Sequence, residues 1–161
     1  MARAVRPALV LLAAVSVSAL GLAACSGGDP DRDSTGVITA SEEGADIFAI
    51  QVGDCAGDLT TGELTELDVV PCADPHVSEA FASSDLDEGG YPGTEAIDAQ
   101  AEEDCTAAFE TFIGLPYQES ELFATWLTPT EESWEQGDRE ILCFVYDEDA
   151  DTTGSLENAA R

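Results

Sequence analysis

Apolar and polar positions between residues 46 and 146 alternate in short runs that predict a small sheet. Four runs, each bounded by glycine, proline or acidic residues, predict strands at residues 47–52, 64–70, 76–86 and 122–128. A fifth run, at residues 141–146, is apolar throughout, which is typical of a strand buried on both faces. We therefore expect residues 141–146 to form the central strand.

Residues 94–113 carry the clearest helical pattern. Thr94 is suited to cap the first turn, and Gly114 followed by Pro116 predicts the end of the helix. At about 100° per residue, the apolar side chains share an arc of about 120°; they are Ile97, Ala101, Cys105, Ala108, Phe109 and Phe112. A turn or short helix is expected at residues 129–134. The order along the chain is then βββαββ, an α+β domain with one main helix on a small antiparallel sheet.

Four cysteines lie within this region: Cys55, Cys72, Cys105 and Cys143. An even number in a short exported domain predicts two disulfides, for which three pairings are possible. No C-x-x-C spacing occurs, so neither a redox motif of the thioredoxin type nor a zinc site with close ligand pairs is expected. Cys105 is on the core face of the helix, and its natural partner is Cys143 in the central strand. We therefore expect Cys105–Cys143 and Cys55–Cys72.

The N-terminus reads as an export signal. Arg3 and Arg6 precede an uncharged apolar stretch over residues 8–24, which ends in Leu22-Ala23-Ala24-Cys25. This ending resembles a bacterial lipobox, so we expect cleavage before Cys25 and lipidation, such as palmitate, on that cysteine. The alternative is an ordinary signal peptide, which would leave Cys25 as a free thiol. A lipoprotein on the extracytoplasmic face of the cell membrane is therefore the predicted location.

The charge of the chain excludes several classes of partner. The formal net charge is −29, and the 34 acidic residues all follow Cys25, whereas only Arg32, Arg139 and Arg161 follow it among the basic residues. Such a chain repels nucleic acids and anionic membrane surfaces. The acidity itself is interpreted as a solubility or salt adaptation, with a basic partner or divalent cations as the alternative.

Composition also predicts the domain boundaries. Residues 1–24 are the expected signal peptide, residues 25–45 a lipidated cysteine with a flexible acidic linker, and residues 147–161 a polar acidic tail. The folded unit is then residues 46–146. Acids alternate at residues 147–151, but the glycine and glutamate of a calcium loop are missing. Weak, diffuse binding of divalent cations is the most that this segment predicts; no specific metal site and no cofactor are expected.

Several short motifs lie between the predicted elements. They are Val52-Gly53-Asp54-Cys55, Val70-Pro71-Cys72, Pro75-His76 with Glu79, Tyr91-Pro92-Gly93, Cys105, Pro129-Thr130, Trp134, Gly137-Asp138-Arg139 and Cys143. This set, over residues 52–146, resembles the actinobacterial septum formation family. The resemblance implies an exported or membrane-tethered domain linked to cell division. It implies no reaction and no catalytic residues.

Three residues are candidates for binding. His76 is the only histidine, and we weigh a binding or pH-sensitive role against a hydrogen bond to the backbone. Arg139 is expected either to lock the turn before the last strand, with a distant acid such as Asp54, or to anchor a partner's carboxylate. Trp134 lies in a polar segment and is the best candidate for an exposed aromatic side chain.

These observations favour a membrane-anchored binding or adaptor module of the cell envelope or septum, with an envelope or division protein as its partner. The alternative is a module that binds peptidoglycan or another glycan through exposed aromatic rings. A wall hydrolase is disfavoured because the chain has one histidine and no G-x-S-x-G nucleophile motif. The protein is therefore not expected to be an enzyme.

Overall fold

The computed structural model describes residues 28–59 and 64–161. Its six strands are β1 (Glu42–Asp46), β2 (Cys55–Ala56), β3 (Glu66–Val70), β4 (Ser78–Asp85), β5 (Phe123–Leu127) and β6 (Glu140–Tyr146). The two helices are α1 (Thr94–Ile113) and α2 (Glu131–Glu135). Short 3₁₀ turns occur at Ile47–Ala49 and Tyr117–Glu119.

The strands form one antiparallel sheet in the order β1-β3-β2-β4-β6-β5. This confirms the predicted α+β class with one main helix. Four strands rather than three precede α1, however, and β6 lies between β4 and β5, where its side chains at Ile141–Val145 are buried. The continuous apolar run of β6 is thus explained by a strand that is covered on both faces.

Helix α1 covers one face of the sheet. Its buried positions are Ile97, Ala101, Cys105, Phe109 and Ile113, which recur every four residues. Four of them, Ala101 to Ile113, form the first core with residues of β4 and β6, among them Phe81, Ile141 and Val145. Gly93 rather than Thr94 is the N-cap, whereas Gly114 ends the helix in the left-handed conformation as expected.

The opposite face of the sheet carries a second core under the N-terminal segment. Ile38 and Ile50 are buried there against Leu142 and Phe144 of β6. The linker expected at residues 25–45 is therefore wrong from Gly28 onward, because this part of the chain packs and its residues Glu42–Asp46 form β1. Ordered packing of these residues replaces the expected flexible tether.

The strand expected at residues 47–52 is also wrong. The Asp46 carboxylate accepts a hydrogen bond from the backbone N–H of Phe48, and the N–H of Ile50 bonds to the carbonyl of Ile47. These local bonds close a 3₁₀ turn at Ile47–Ala49, because a side chain that caps the backbone competes with the hydrogen bonds of a strand. The first strand pairing is consequently made by residues 42–46.

The C-terminal segment packs along the domain and is not the polar tail expected at residues 147–161. Leu156 is buried in the first core, and His76 and Thr152 exchange backbone hydrogen bonds of 3.0 and 2.8 Å. The backbone N–H groups of Asn158 and Ala160 donate to carbonyls at the end of α1. The folded unit thus extends through residue 161.

Both predicted disulfides are present. Cys55–Cys72 joins β2 to the residue that follows β3 by two positions, and Cys105–Cys143 joins α1 to β6. The second bridge fixes the main helix to the sheet, as its position on the helix predicts.

Candidate functional site

An open groove lies on the sheet face opposite α1. Its apolar floor combines the Ile47–Ala49 turn with the ends of β5 and β6: Ile47, Phe48, Leu64, Leu127 and Leu142. The groove has a volume of about 300 Å³. Phe48 is 71% exposed, which is the largest exposure of a large apolar side chain among the described residues. The 3₁₀ turn therefore presents an aromatic ring to solvent at the groove's edge.

Acidic side chains form one rim of this groove, which we call the acidic-rimmed groove. They are Glu132 of α2, Asp138 of the following turn and Glu140 of β6. Asp138 is held in place because its carboxylate accepts hydrogen bonds from Ser133 Oγ at 2.8 Å and from the N–H of Glu140 at 3.1 Å. No arginine is among the lining residues that the structure describes, and the chain contains no lysine. The groove thus joins an apolar floor to a negative rim.

Loss of water around part of the Glu140 carboxyl raises its pKa, and the negative charges of Asp85 and Asp138 raise it further. A hydrogen bond from Ser83 acts in the opposite direction. A cation placed beside Glu140 would offset the repulsion from Asp85 and Asp138. The acidic side chains of the rim would therefore attract a positively charged group.

Trp134 is buried, with 6% exposure, so its interpretation as an exposed binding residue is wrong. Thr130 and Ser133 form a capping box that starts α2 and turns Trp134 inward. The indole N–H donates to the carbonyl of Gly89 at 3.0 Å, and the ring packs edge-on against Tyr91. A satisfied N–H allows this large ring to be covered despite its acidic sequence neighbours.

The Arg139 guanidinium lies over the Trp134 ring, with Cζ 3.7 Å from the ring centroid. Its Nη1 donates to the carbonyls of Trp134 and Asp138 at 2.9 and 2.5 Å, and Nη2 lies 3.6 Å from the exposed carboxylate of Glu88. The expected pair with Asp54 is wrong. Arg139 locks the turn before β6 by stacking and by backbone bonds.

Asp54 pairs instead with Arg32, from the segment that was expected to be a linker. Two parallel hydrogen bonds of 2.5 and 2.6 Å join the guanidinium to the carboxylate, which is 2% exposed. Arg32 also donates to the carbonyls of Gly36 and Ala49 at 2.9 Å each. This ion pair anchors the N-terminal segment and raises the Arg32 pKa, first through the hydrogen bond to Asp54.

His76 is buried, and its Nδ1 bonds to the backbone carbonyl of Asp74 at 2.9 Å. It lies just before β4, whereas Trp134 contacts Gly89, which follows that strand. An eight-residue strand is about 26 Å long at the usual rise. His76 therefore lies at the opposite end of β4 from the Trp134–Arg139 pair, and the three candidates do not share one face.

The acidic-rimmed groove could not be recognised in the sequence. Its floor comes from four separate parts of the chain, and only the apolar pair Ile47-Phe48 next to acidic Asp46 offered a local signal. Phe48 is the single aromatic residue among the described lining residues, so the groove has no row of coplanar rings of the kind that a glycan binder needs.

Two further expectations concern other parts of the chain. Cys25 and the signal at residues 1–24 lie outside the described residues. Within the described part, no helix combines the length and the apolar character needed to cross a membrane. In the acidic segment 147–151, the carboxylate of Asp147 accepts a hydrogen bond of 2.8 Å from Arg161 Nη1.

Comparison with known proteins identifies the family of this chain. A family model described as "Septum formation" matches residues 30–158, which include the N-terminal segment, both disulfides and most of the C-terminal segment. No curated protein and no solved structure matches the chain. Because the family model spans well over half of the sequence, this chain belongs to the septum formation family.

Proposed function

We propose that this protein is a lipid-anchored adaptor on the extracytoplasmic face of the cell membrane, and that it docks a partner protein in the acidic-rimmed groove. Membership of the septum formation family supports a role in septum formation or the cell envelope. The observation that carries the adaptor role is the groove itself, an uncovered apolar floor that has a charged rim along one side.

The chemistry of the groove favours a particular kind of partner segment. An apolar side chain on the floor, against Leu127 and Leu142, would supply the binding energy, because burial of apolar surface dominates association. A flanking lysine or arginine would meet Glu132, Asp138 and Glu140 on the rim. Charge complementarity of this kind mainly adds specificity and speeds association. The partner is thus a protein segment with an apolar anchor next to basic residues.

Photo-crosslinking in dividing cells tests this proposal. A photoreactive phenylalanine analogue replaces Phe48 at the groove, and in a matched control it replaces Phe123, which is also exposed and begins β5 away from the groove. We expect an envelope or division protein to be captured from position 48 and not from position 123. Capture of the same proteins from both positions, or of none from position 48, would contradict the groove as the docking site.

A second measurement separates the groove from the anchor. Cys25→Ala should release the protein from the membrane fraction and abolish labelling with palmitate, while leaving the folded domain intact. Ser34→Ala, at an exposed position that leaves the lipobox unchanged, is the control for handling of the membrane fraction. If the Cys25→Ala protein stays in the membrane fraction, the lipid anchor is wrong, whatever the crosslinking shows.

A further inference from the structure

The start of β4 brings three groups that bind transition metals close together. Cys55 Sγ, a ring nitrogen of His76 and a carboxylate oxygen of Glu79 all lie within 4.8 Å of one another, and the three residues are buried. Cys55 and Glu79 are direct partners in the antiparallel pairing of β2 with β4. Two of the groups are therefore positioned by the rigid sheet.

The imidazole of His76 has one nitrogen without a partner. Nδ1 lies 2.9 Å from the carbonyl of Asp74, and since a carbonyl only accepts, Nδ1 carries the proton. In the neutral imidazole this leaves Nε2 with a lone pair, and Nε2 is buried with no hydrogen-bond partner among the described residues. Histidines that bind metals commonly donate their other N–H to a backbone carbonyl in this way. The neutral form of His76 therefore offers Nε2 as a ligand to a metal.

Glu79 is fixed from the opposite side. Its two oxygens accept hydrogen bonds of 2.6 Å each from Ser155 Oγ and from the N–H of Leu156. A carboxylate has about four acceptor positions, so these bonds leave room for a metal. Such bonds orient a ligating carboxylate. The C-terminal segment therefore acts as the outer support of this group.

The third group, Cys55 Sγ, is bonded to Cys72 in a disulfide. Cys55 is fully buried, whereas Cys72 is partly exposed, and both sulfurs of the other bridge belong to buried residues, Cys105 and Cys143. An external thiol therefore reaches Cys72 before any other bridged cysteine. Attack there makes Cys55 the leaving group, which departs as a thiolate, the form that binds metals.

We propose that Cys55, His76 and Glu79 form a zinc site that opens when a dithiol reduces Cys55–Cys72. One thiolate of the dithiol attacks Cys72 Sγ, which breaks the Cys55–Cys72 bond and forms a mixed disulfide with Cys72. The second thiol of the reagent then attacks this mixed disulfide, so that Cys72 is released and the dithiol becomes an internal disulfide. Two electrons pass to the protein. One proton goes to the Cys72 sulfur, and the other is released to solvent while Cys55 binds the metal as a thiolate.

The charges and ligand types suit Zn²⁺. A thiolate and a carboxylate together neutralise a divalent cation, which lowers the cost of burying it. Thiolate, imidazole and carboxylate are all zinc ligands, and three protein ligands leave a fourth position for water. Tetrahedral ligands lie roughly 3.5 Å apart, so the three groups need only a modest contraction from their present spacing.

Two variants of the full chain, both carrying Cys25→Ala and each keeping one cysteine of the Cys55–Cys72 bridge, test the site. Cys72→Ala frees Cys55 without a reductant, and Cys55→Ala frees Cys72 and breaks the same bridge. With Co²⁺ as the probe, we expect a thiolate-to-cobalt charge-transfer band and one bound ion for Cys72→Ala, and no such band for Cys55→Ala. Adding His76→Gln or Glu79→Gln to Cys72→Ala should weaken Co²⁺ binding at least about tenfold. Equal Co²⁺ binding by the Cys72→Ala and Cys55→Ala variants would overturn the proposal.

A footprinting measurement on the chain with both Cys55 and Cys72 in place does not depend on whether the variants fold. After reduction with a phosphine, alkylation of Cys55 and Cys72 is followed by mass spectrometry with and without Zn²⁺. We expect Zn²⁺ to slow alkylation of Cys55 at least about tenfold and to leave Cys72 reactive. If Zn²⁺ does not slow alkylation of Cys55, or slows both cysteines equally, the three-ligand site is wrong.

Discussion

Replacing Arg32 with alanine tests whether the N-terminal segment is an integral part of the folded domain. The substitution removes both hydrogen bonds to Asp54, whose side chain is 3% exposed, and two further bonds to backbone carbonyls. Asp54 would then keep a hydrogen bond from the N–H of Gln51, at 2.7 Å, but no cation. The variant therefore leaves a buried charge without its counterion.

The expected cost is large for a single substitution. Removing one partner of a buried ion pair costs about 3–5 kcal/mol, because the remaining charge has lost its water and its partner. For a domain of between 100 and 150 residues, each kcal/mol lowers Tm by roughly 4 °C. We therefore expect Arg32→Ala to lower Tm by about 12–20 °C. The decrease should be visible in thermal unfolding followed by circular dichroism.

Two comparisons decide whether the ion pair is the cause. Arg161→Ala removes an arginine whose side chain is 37% exposed, so it should cost only about 0.2–1 kcal/mol. Arg32→Ala combined with Asp54→Asn should be less destabilised than the sum of the single variants, since the buried charge is gone. If Arg32→Ala lies within about 1 °C of the unchanged chain, the segment is not anchored and our reasoning is refuted.

Three further perturbations have outcomes that follow from the fold. Gly114→Ala should cost about 1–2 kcal/mol in chemical denaturation, because the residue has φ = 86°, whereas Gly90→Ala, at a position without positive φ and in open space, should cost far less. Phe109→Ala should cost about 3–5 kcal/mol, since the ring is fully buried in the first core; a cost below 1 kcal/mol would contradict the packing of α1. The hydrogen bond from Arg161 lowers the pKa of Asp147 below 3.8, so this pair stabilises the fold above that pH and its contribution is lost as the pH falls through the lowered value. Asp147→Asn should consequently be less stable than the unchanged chain at pH 7, and the difference in stability should shrink as the pH falls below the ordinary pKa of an aspartate. A difference that does not change with pH would mean that the effect comes from packing.

Helix α1 and the two disulfides could be predicted because their signals are local or mutually constraining. The apolar positions of α1 share one face, and Gly114 ends the helix where a left-handed residue is needed. Cys105 lies on that face, so its partner had to come from a buried strand, and Cys143 was the available residue. Once that pair is fixed, the remaining bridge follows by exclusion.

Strand β1 could not be predicted from its sequence. It is an edge strand with a single buried side chain, Ala45, and its other residues are acidic or glycine. An edge strand needs little apolar surface, so it lacks the alternation by which strands are recognised. The adjacent apolar run at residues 47–52 drew the prediction instead, although Asp46 was placed to cap a turn there.

The acidic-rimmed groove escaped prediction for a different reason. Phe48, Leu64, Leu127 and Leu142 come from four distant parts of the chain and meet only because β6 pairs with β5 under the N-terminal segment. No periodicity within one element reports such a meeting. Phe48 was instead assigned to the strand predicted at residues 47–52.

The roles of Arg32 and Arg161 were not predicted, whereas Arg139 was expected to lock the turn before the last strand. In a chain with 34 acidic residues and only Arg32, Arg139 and Arg161 after residue 25, carboxylates have little chance of a cationic partner, and each arginine is surrounded by possible partners. All three hold segments that were expected to be linker, turn or tail: one bonds to buried Asp54, one stacks on Trp134, and one joins Asp147. Repulsion among so many acids favours extension of any segment that has little apolar surface. An arginine in such a segment counteracts that repulsion at one point. In a highly acidic protein, an arginine within a polar stretch therefore indicates where that stretch is held against the folded domain.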